Sequence, residues 1–144
     1  MVAVVGVPVA LAAYTGSYAP TQAVSPRQLS MPASFACTDP GGDSVRLSWT
    51  DTDATTANPN TPATFVIDGY QVDRKVGNGA WTPWATPSRT ATSVTDSSFG
   101  GLSLGTQISY RMRSAKSTNW VSPDTAAVTA TVTSLLIFVH VSCP

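Results

Sequence analysis

The chain has 144 residues, enough for one domain with short terminal segments. Its eight basic and eight acidic residues balance, so its charge gives no sign of nucleic acid as a partner. Every acidic residue is aspartate, and Thr, Ser, Val and Ala are abundant, which favours strands and turns over long helices.

The N-terminal segment, residues 1–32, joins an apolar stretch to a connector rich in Pro, Ser and Thr. The stretch resembles the apolar region of a signal peptide, with small residues at Ala10-Leu11-Ala12 where a peptidase could cut. No basic residue precedes Arg27, so the positive flank of a signal peptide is missing. The stretch is short and is interrupted by a glycine and a proline, which argues against a membrane helix. We expect either a removed leader or a retained segment with another role.

Short alternating runs separated by turn residues predict about seven strands from residue 33 to residue 133. Val45, Leu47 and Trp49 alternate with polar residues, which predicts a half-buried strand. A second strand is predicted over residues 66–76, and further strands over 92–98, 108–113 and 127–133.

A hairpin is predicted at Gly77-Asn78-Gly79, because Asn-Gly favours positive φ at both central positions of a turn. The return strand over residues 80–84 contains Pro83, which has no N–H to donate and therefore predicts the edge of a sheet.

Four segments resemble successive strands of a fibronectin type III domain over residues 33–133: SVRLSWT, DGYQVDRKVGNGAWTPW, TSVTDSSFGGLSLGTQISYRMRS and NWVSPDTAAVTATV. The resemblance implies an all-β, antiparallel two-sheet sandwich of the fibronectin type III/immunoglobulin-like kind, with apolar segments extending from both ends. It places Trp49 and Tyr70 in the core. Alternation along residues 66–76 separately predicts that Val72 and Arg74 share a strand face with Tyr70. Ile108 stands where the family has its tyrosine-corner residue, and Leu104 replaces a usual proline, so we expect that corner's hydrogen bond to be absent or rebuilt.

Cys37 and Cys143 are the two cysteines, too few for a four-ligand zinc site. Outside the cytoplasm we expect them to form a disulfide that fastens the tail to the start of the domain. Closing a loop of roughly 100 residues is worth about 4–5 kcal/mol in the chain-entropy model. In a reducing compartment they would be two buried thiols.

Residues 134–144 are predicted to be an apolar C-terminal strand or tail. They read SLLIFVHVSCP and do not alternate between Leu135 and Val139. A two-layer sandwich covers only one face of a strand, so we expect these side chains and those of the N-terminal run to be covered by neighbouring copies through strand addition. The predicted assembly interface consists of Val2, Val4, Val5, Val7, Val9, Leu11, Leu135, Leu136, Ile137, Phe138 and Val139.

The sequence carries little that resembles an active site. His140 is the one histidine, and no nucleophile elbow or phosphate loop is present, so we expect no enzymatic activity, cofactor or metal. Carboxylate oxygens suit calcium, and neighbouring predicted loops carry Asp39, Asp43, Asp51 and Asp53. The favoured interpretation is that these aspartates are ordinary turn residues.

Trp81, Trp84 and Trp120 are candidate ligand-facing aromatics, which could stack on a surface glycan or anchor a protein partner. The alternative is that one of them closes the edge of the core and the others are covered by the terminal segments. Trp81 and Trp84 are three residues apart and need not share a face.

The leading functional prediction is a non-enzymatic structural subunit, extracellular or at the cell surface, that polymerises through its apolar ends into a pilus-like or fibre-like filament. Gly16-Ser17-Tyr18-Ala19 resembles the leader motif of the Gram-positive camelysin and biofilm-fibre proteins, which implies cleavage after Ala19 and donation of the new N-terminus to the next subunit. One alternative is a phage virion protein of the tail or decoration type. The other is a secreted monomeric module that binds carbohydrate or protein.

Overall fold

A computed structural model describes residues 29–51, 66–117, 119–134 and 139–144. This part of the chain contains nine strands, all paired antiparallel: β1 (Ala33–Thr38), β2 (Val45–Thr50), β3 (Gly69–Val76), β4 (Thr82–Ala85), β5 (Ser93–Asp96), β6 (Gln107–Lys116), β7 (Trp120–Val121), β8 (Val128–Ser134) and β9 (His140–Ser142). Among these residues no helix is long and apolar enough to cross a membrane.

The strands form two sheets that enclose one core. The smaller sheet has the order β1-β2-β5, and the larger has the order β4-β3-β6-β8-β9, with β7 paired to the end of β6. The predicted all-β, two-sheet antiparallel sandwich of the fibronectin type III/immunoglobulin-like kind is confirmed.

The alternation in the sequence corresponds to the inner and outer faces of the strands. On β2, Val45, Leu47 and Trp49 are buried, while the residues between them are exposed or half-buried. Trp49 and Tyr70 meet edge to face across the core, with ring centroids 5.3 Å apart. Their predicted core positions are confirmed.

The predicted turn after β3 is present, with one difference in its geometry. The N–H of Gly79 donates to the carbonyl of Val76 at 3.0 Å, and Gly77 has a φ of 53°. Asn78 does not have a positive φ, so the expectation of two positive central residues is wrong. A glycine with positive φ at the first central position suits a type II′ turn, which also fits strand twist. The edge predicted from Pro83 is confirmed, because β4 is the first strand of its sheet.

The position of the tyrosine corner is filled by an apolar core residue. Ile108 is fully buried on β6, and Tyr110, two residues further, is also fully buried. The Tyr110 hydroxyl donates to the carboxylate of Asp96 at 2.7 Å. The buried tyrosine therefore lies two residues after the expected corner position. Its hydrogen bond to Asp96 joins the larger sheet to the smaller one.

Residues 134–144 were predicted to be a strand or tail, and β9 lies there and extends the larger sheet beyond β8. The two-residue strand β7 and one core residue were not predicted. Leu29 is buried in the core, ahead of the predicted domain start at residue 33.

Candidate interaction surfaces

One side of the sandwich is closed by the C-terminal tail. β1 is an edge of the smaller sheet and β9 an edge of the larger one, and Cys37 of β1 forms a disulfide with Cys143, directly after β9. The two Cα atoms are 5.8 Å apart and the cysteines are separated by 106 residues in sequence. The predicted disulfide is confirmed, and it joins the sheets covalently.

The strand β9 also packs into this side of the molecule. Val141 is fully buried in the core, and Val139 is half-buried against it. The N–H of Val141 donates to the carbonyl of Gly42, in the turn between β1 and β2, at 3.4 Å. We call these five residues, Cys37, Gly42, Val139, Val141 and Cys143, the tail seam.

The histidine predicted to be packed or at an interface lies beside the tail seam. His140 Nε2 is 3.9 Å from Asp39 Oδ2, and Asp39 Oδ1 accepts the N–H of Gly41 at 2.7 Å. Asp39 is thus a turn residue that bonds its own backbone. In the described ranges no three His, Cys, Asp or Glu side chains are grouped as metal ligands, and Asp53 lies outside those ranges.

Most of the predicted assembly interface lies outside the described residues. Val139 is the exception, and it packs on the core of its own chain. Assembly through the apolar ends therefore stays a prediction. The undescribed members are Val2, Val4, Val5, Val7, Val9, Leu11, Leu135, Leu136, Ile137 and Phe138.

The three candidate aromatics do not form one surface. Trp81 is half-buried outside the larger sheet, with Lys75 Nζ 5.1 Å and the Arg111 guanidinium carbon 4.6 Å from its ring centroid. Trp84 points inward and meets Tyr110 edge to face at 5.7 Å, so it closes the edge of the core. Trp120 is 38% exposed on β7.

The outer face of the larger sheet also carries a ladder of charged residues. Asp73 is buried beneath two guanidinium groups: Arg111 Nη2 is 3.0 Å and Arg113 Nη2 is 3.6 Å from Asp73 Oδ2. Asp124 pairs with the same two arginines at 2.9 and 3.4 Å, and Gln71 accepts from Arg113 at 2.8 Å. In the sequence, this ladder was indicated by the polar residues that occupy every second position of β3 and β6.

A second polar cluster lies inside the sandwich. Asp96 is 1% exposed and lies 3.2 Å from Arg74 Nε, and it also accepts the Ser98 N–H and the Tyr110 hydroxyl. Arg74 donates in turn to the Ser98 hydroxyl and carbonyl, and its guanidinium lies over Phe99. Burial, reinforced by the hydrogen bond to Asp96, raises the pKa of Tyr110 above its ordinary value, so the phenol stays a protonated donor.

A solved structure that aligns with this chain supports the β-sandwich fold. A β-sandwich protein from a computer-based redesign study aligns with a TM-score of 0.53 and 20% identity, covering 75% of this chain and 94% of its own. A fibronectin type III domain of human collagen alpha-1(XX) aligns at 0.46 and 18%, covering 85% and 94%. A β-1,2-glucanase from Parabacteroides distasonis aligns at 0.48 and 17%, covering 74% of this chain but 14% of the enzyme. No family model and no curated protein matched the chain. The strand order of the two sheets and the alignment at a TM-score of 0.53 show an antiparallel β-sandwich.

Proposed function

We propose that this protein is a non-enzymatic, extracellular structural subunit that assembles with copies of itself. In this proposal residues 2–11 of one copy add as a strand to the smaller sheet of the next. The observation that carries the proposal is the difference between the two apolar ends. The tail places Val139 and Val141 on its own core, whereas the N-terminal run has the pattern of a strand that requires a sheet to receive it.

The N-terminal pattern is an alternating one. Val5, Val7, Val9 and Leu11 recur at every second residue, which would place all four side chains on one face of an extended strand. In strand addition the main-chain hydrogen bonds supply affinity and alternate side chains fill pockets. Repeated from copy to copy, a contact of this kind generates an open filament.

The receiving edge that we propose is β5. In the part of the chain that the structure describes, β5 pairs with β2 on one side and with no strand on the other. The Trp49 N–H donates to the Thr92 carbonyl, so the backbone groups of Thr92 face β2. Backbone groups of successive residues in a strand point alternately to its two sides. The N–H of Thr95, three residues after Thr92, therefore points to the open side of β5. β4 is less suitable because Pro83 removes a donor.

Two features support an extracellular, non-catalytic role. The Cys37–Cys143 disulfide is typical of proteins outside reducing compartments. The inner cluster around Asp96 and the outer ladder around Asp73 bond chiefly within themselves, which is typical of structural ion pairs.

Electron microscopy of the full-length chain tests the proposal. We expect filaments from the native sequence, and none from a Val7→Asp/Val9→Asp variant or from Thr95→Pro. Thr15→Asp/Thr21→Asp, which places the same two negative charges in the connector, should still form filaments. A mixture of the two defective variants should give pairs and no filaments, because each retains one half of the contact.

Monodisperse full-length particles at high concentration would contradict the proposal. Intact-mass measurement of the native protein is a second test, because it shows whether residues 2–11 are present. Cleavage after Ala19 would remove residues 2–11 and rule out their donation.

A secreted monomeric binding module is the second candidate, because Trp81 is half-exposed on the outer face between Lys75 and Arg111. It predicts that Trp81→Ala weakens binding to a surface glycan or protein while Trp84→Ala acts through stability alone. A glycan array probed with both variants distinguishes these effects.

A further inference from the structure

The outer face of the larger sheet presents one aromatic ring among polar and charged side chains. Trp81 is half-buried just before β4, with Lys75 Nζ 5.1 Å and the Arg111 guanidinium carbon 4.6 Å from its ring centroid. Lys75 and Arg111 alternate with inward-facing residues of β3 and β6, so both rise from the same side of the sheet. The indole therefore lies over that side, and its exposed part faces away from the sheet.

The cations of this face outnumber its carboxylates. Arg111 and Arg113 both pair with Asp73 and with Asp124. Asp73 is 5% exposed and lies beneath the guanidinium groups, so solvent meets the cations first. Among the described residues Lys75 has no carboxylate within ion-pair distance, and it contacts an aromatic ring instead. The face therefore carries one positive charge that no side chain of the described ranges neutralises.

The remaining side chains of the face are polar. Gln71 Oε1 accepts from Arg113 Nε at 2.8 Å, and the hydroxyls of Ser109 and Thr129 lie 3.1 Å apart. A protein interface has an apolar core, usually with several aromatic residues, whereas this face has one ring. A pyranose needs one aromatic ring on which its C–H groups stack, with hydrogen-bonding groups around it for its hydroxyls. The composition of the face therefore suits a sugar better than a protein.

We infer that this face binds an acidic saccharide. One pyranose ring stacks on Trp81 and its carboxylate pairs with Lys75. Charge complementarity selects a uronate over a neutral sugar, because Lys75 gains the ion-pair partner that it lacks. The inference rests on the second candidate function, to which it gives a ligand class, and it does not depend on filament formation, which involves β5 of the other sheet. We call this surface the Trp81 face: Gln71, Lys75, Trp81, Ser109, Arg111 and Arg113.

Two forms of one oligosaccharide test the inference. An oligogalacturonate of defined length and its fully methyl-esterified form have the same rings, and only the first is charged. Calorimetric titration of the full-length, oxidised protein should show the acid binding about fivefold more tightly than the ester. Added salt should weaken binding of the acid and leave binding of the ester unchanged, because salt screens exposed charges.

A variant at Lys75 separates the charge from the ring. Lys75→Gln should remove the preference, so that both forms bind as weakly as the ester binds to native protein. Lys116→Gln removes the same charge at the last residue of β6 and should keep the preference. A preference for the acid that survives Lys75→Gln would overturn the inference.

Variants at Trp81 test the stacking. Trp81→Ala should weaken binding of both forms at least about tenfold, and Trp81→Phe, which keeps an aromatic ring, should retain most of the affinity. Trp84→Ala is the control for stability, because Trp84 points into the core and lies outside the Trp81 face. Equal losses of affinity in Trp81→Ala and Trp84→Ala would contradict a direct contact with the sugar.

The outcomes also separate this inference from the functions proposed above. Equal affinity for the acid and the ester would overturn the inference and leave a module for neutral glycans. Binding of neither form would overturn it and leave a protein as the ligand of the second candidate. Electron micrographs of Lys75→Gln should show the same filaments as native protein, and their loss would assign the Trp81 face to the assembly contact instead.

Discussion

The two edges of the larger sheet are closed in different ways. At one edge, β4 is four residues long, contains Pro83 and places Trp84 against the core. At the other edge, β9 is held by the buried Val141 and by a disulfide to the opposite sheet.

The two edges differ in the sequence separation between the residues that close them and the residues that these contact. β4 follows β3 directly, so its proline and tryptophan close the edge through local contacts. The tail closes its edge with a residue 106 positions from its partner. The β4 edge is therefore independent of redox conditions, whereas the β9 edge depends on oxidation.

Removal of the disulfide should have the largest effect. The Cys37→Ser/Cys143→Ser variant should lose about 4–5 kcal/mol in the free energy of unfolding, because the loop it opens is long. Urea denaturation at low protein concentration measures this, and native protein in reductant should match the variant. A loss below about 1 kcal/mol would mean that the tail contributes little to closing its side.

Truncation at the β4 edge should come second. Trp84→Ala should cost about 2–3 kcal/mol, less than a fully buried tryptophan, since the side chain is half-buried. Trp81→Ala should cost about 1 kcal/mol, because it loses exposed cation–π contacts. The same denaturation experiment compares the two, and equal losses would show that Trp84 does not close the edge.

The cluster around Asp96 links the sheets away from both edges of the larger one. Tyr110→Phe removes one donor to a buried carboxylate and should cost about 2 kcal/mol. Because β5 lies at the opposite edge of the smaller sheet from β1, the cost should be the same in oxidised and reduced protein. A cost that disappears on reduction would show coupling to the tail seam.

The smallest effect is expected at an exposed ion pair. Asp68 accepts from Lys116 Nζ and from the Ser117 N–H, and these bonds, the Lys116 bond foremost, lower the pKa of the Asp68 carboxyl. A lowered pKa stabilises the fold above the ordinary value of about 3.9, and that contribution is lost as the pH falls through the folded value. Lys116→Gln should raise the pKa of Asp68 in an NMR titration, with Lys75→Gln as the control that leaves it unchanged.

The sandwich could be predicted because each of its strands has one solvent-facing side and one buried side. Alternation in β2 and β6 identified the buried sets, and Pro83 identified an edge. β9 could not be predicted in the same way, because the preceding residues from Leu135 to Val139 are all apolar. A run without alternation does not show which side chains face the core.

The orientation of individual side chains depended on details that a sequence does not show. The register shifts between Val72 and Asp73 where β3 meets β4, which helps to set which way Trp84 points. Asp96 resembles any turn aspartate in the sequence, and its role becomes visible only when Arg74 and Tyr110 are brought to it from two other strands.

Amide hydrogen exchange of the tail in oxidised protein tests the central claim most directly. If β9 completes the sandwich, the Val141 amide should exchange as slowly as those of β8. An amide at Val141 that exchanges at the rate of an unstructured peptide would contradict the account.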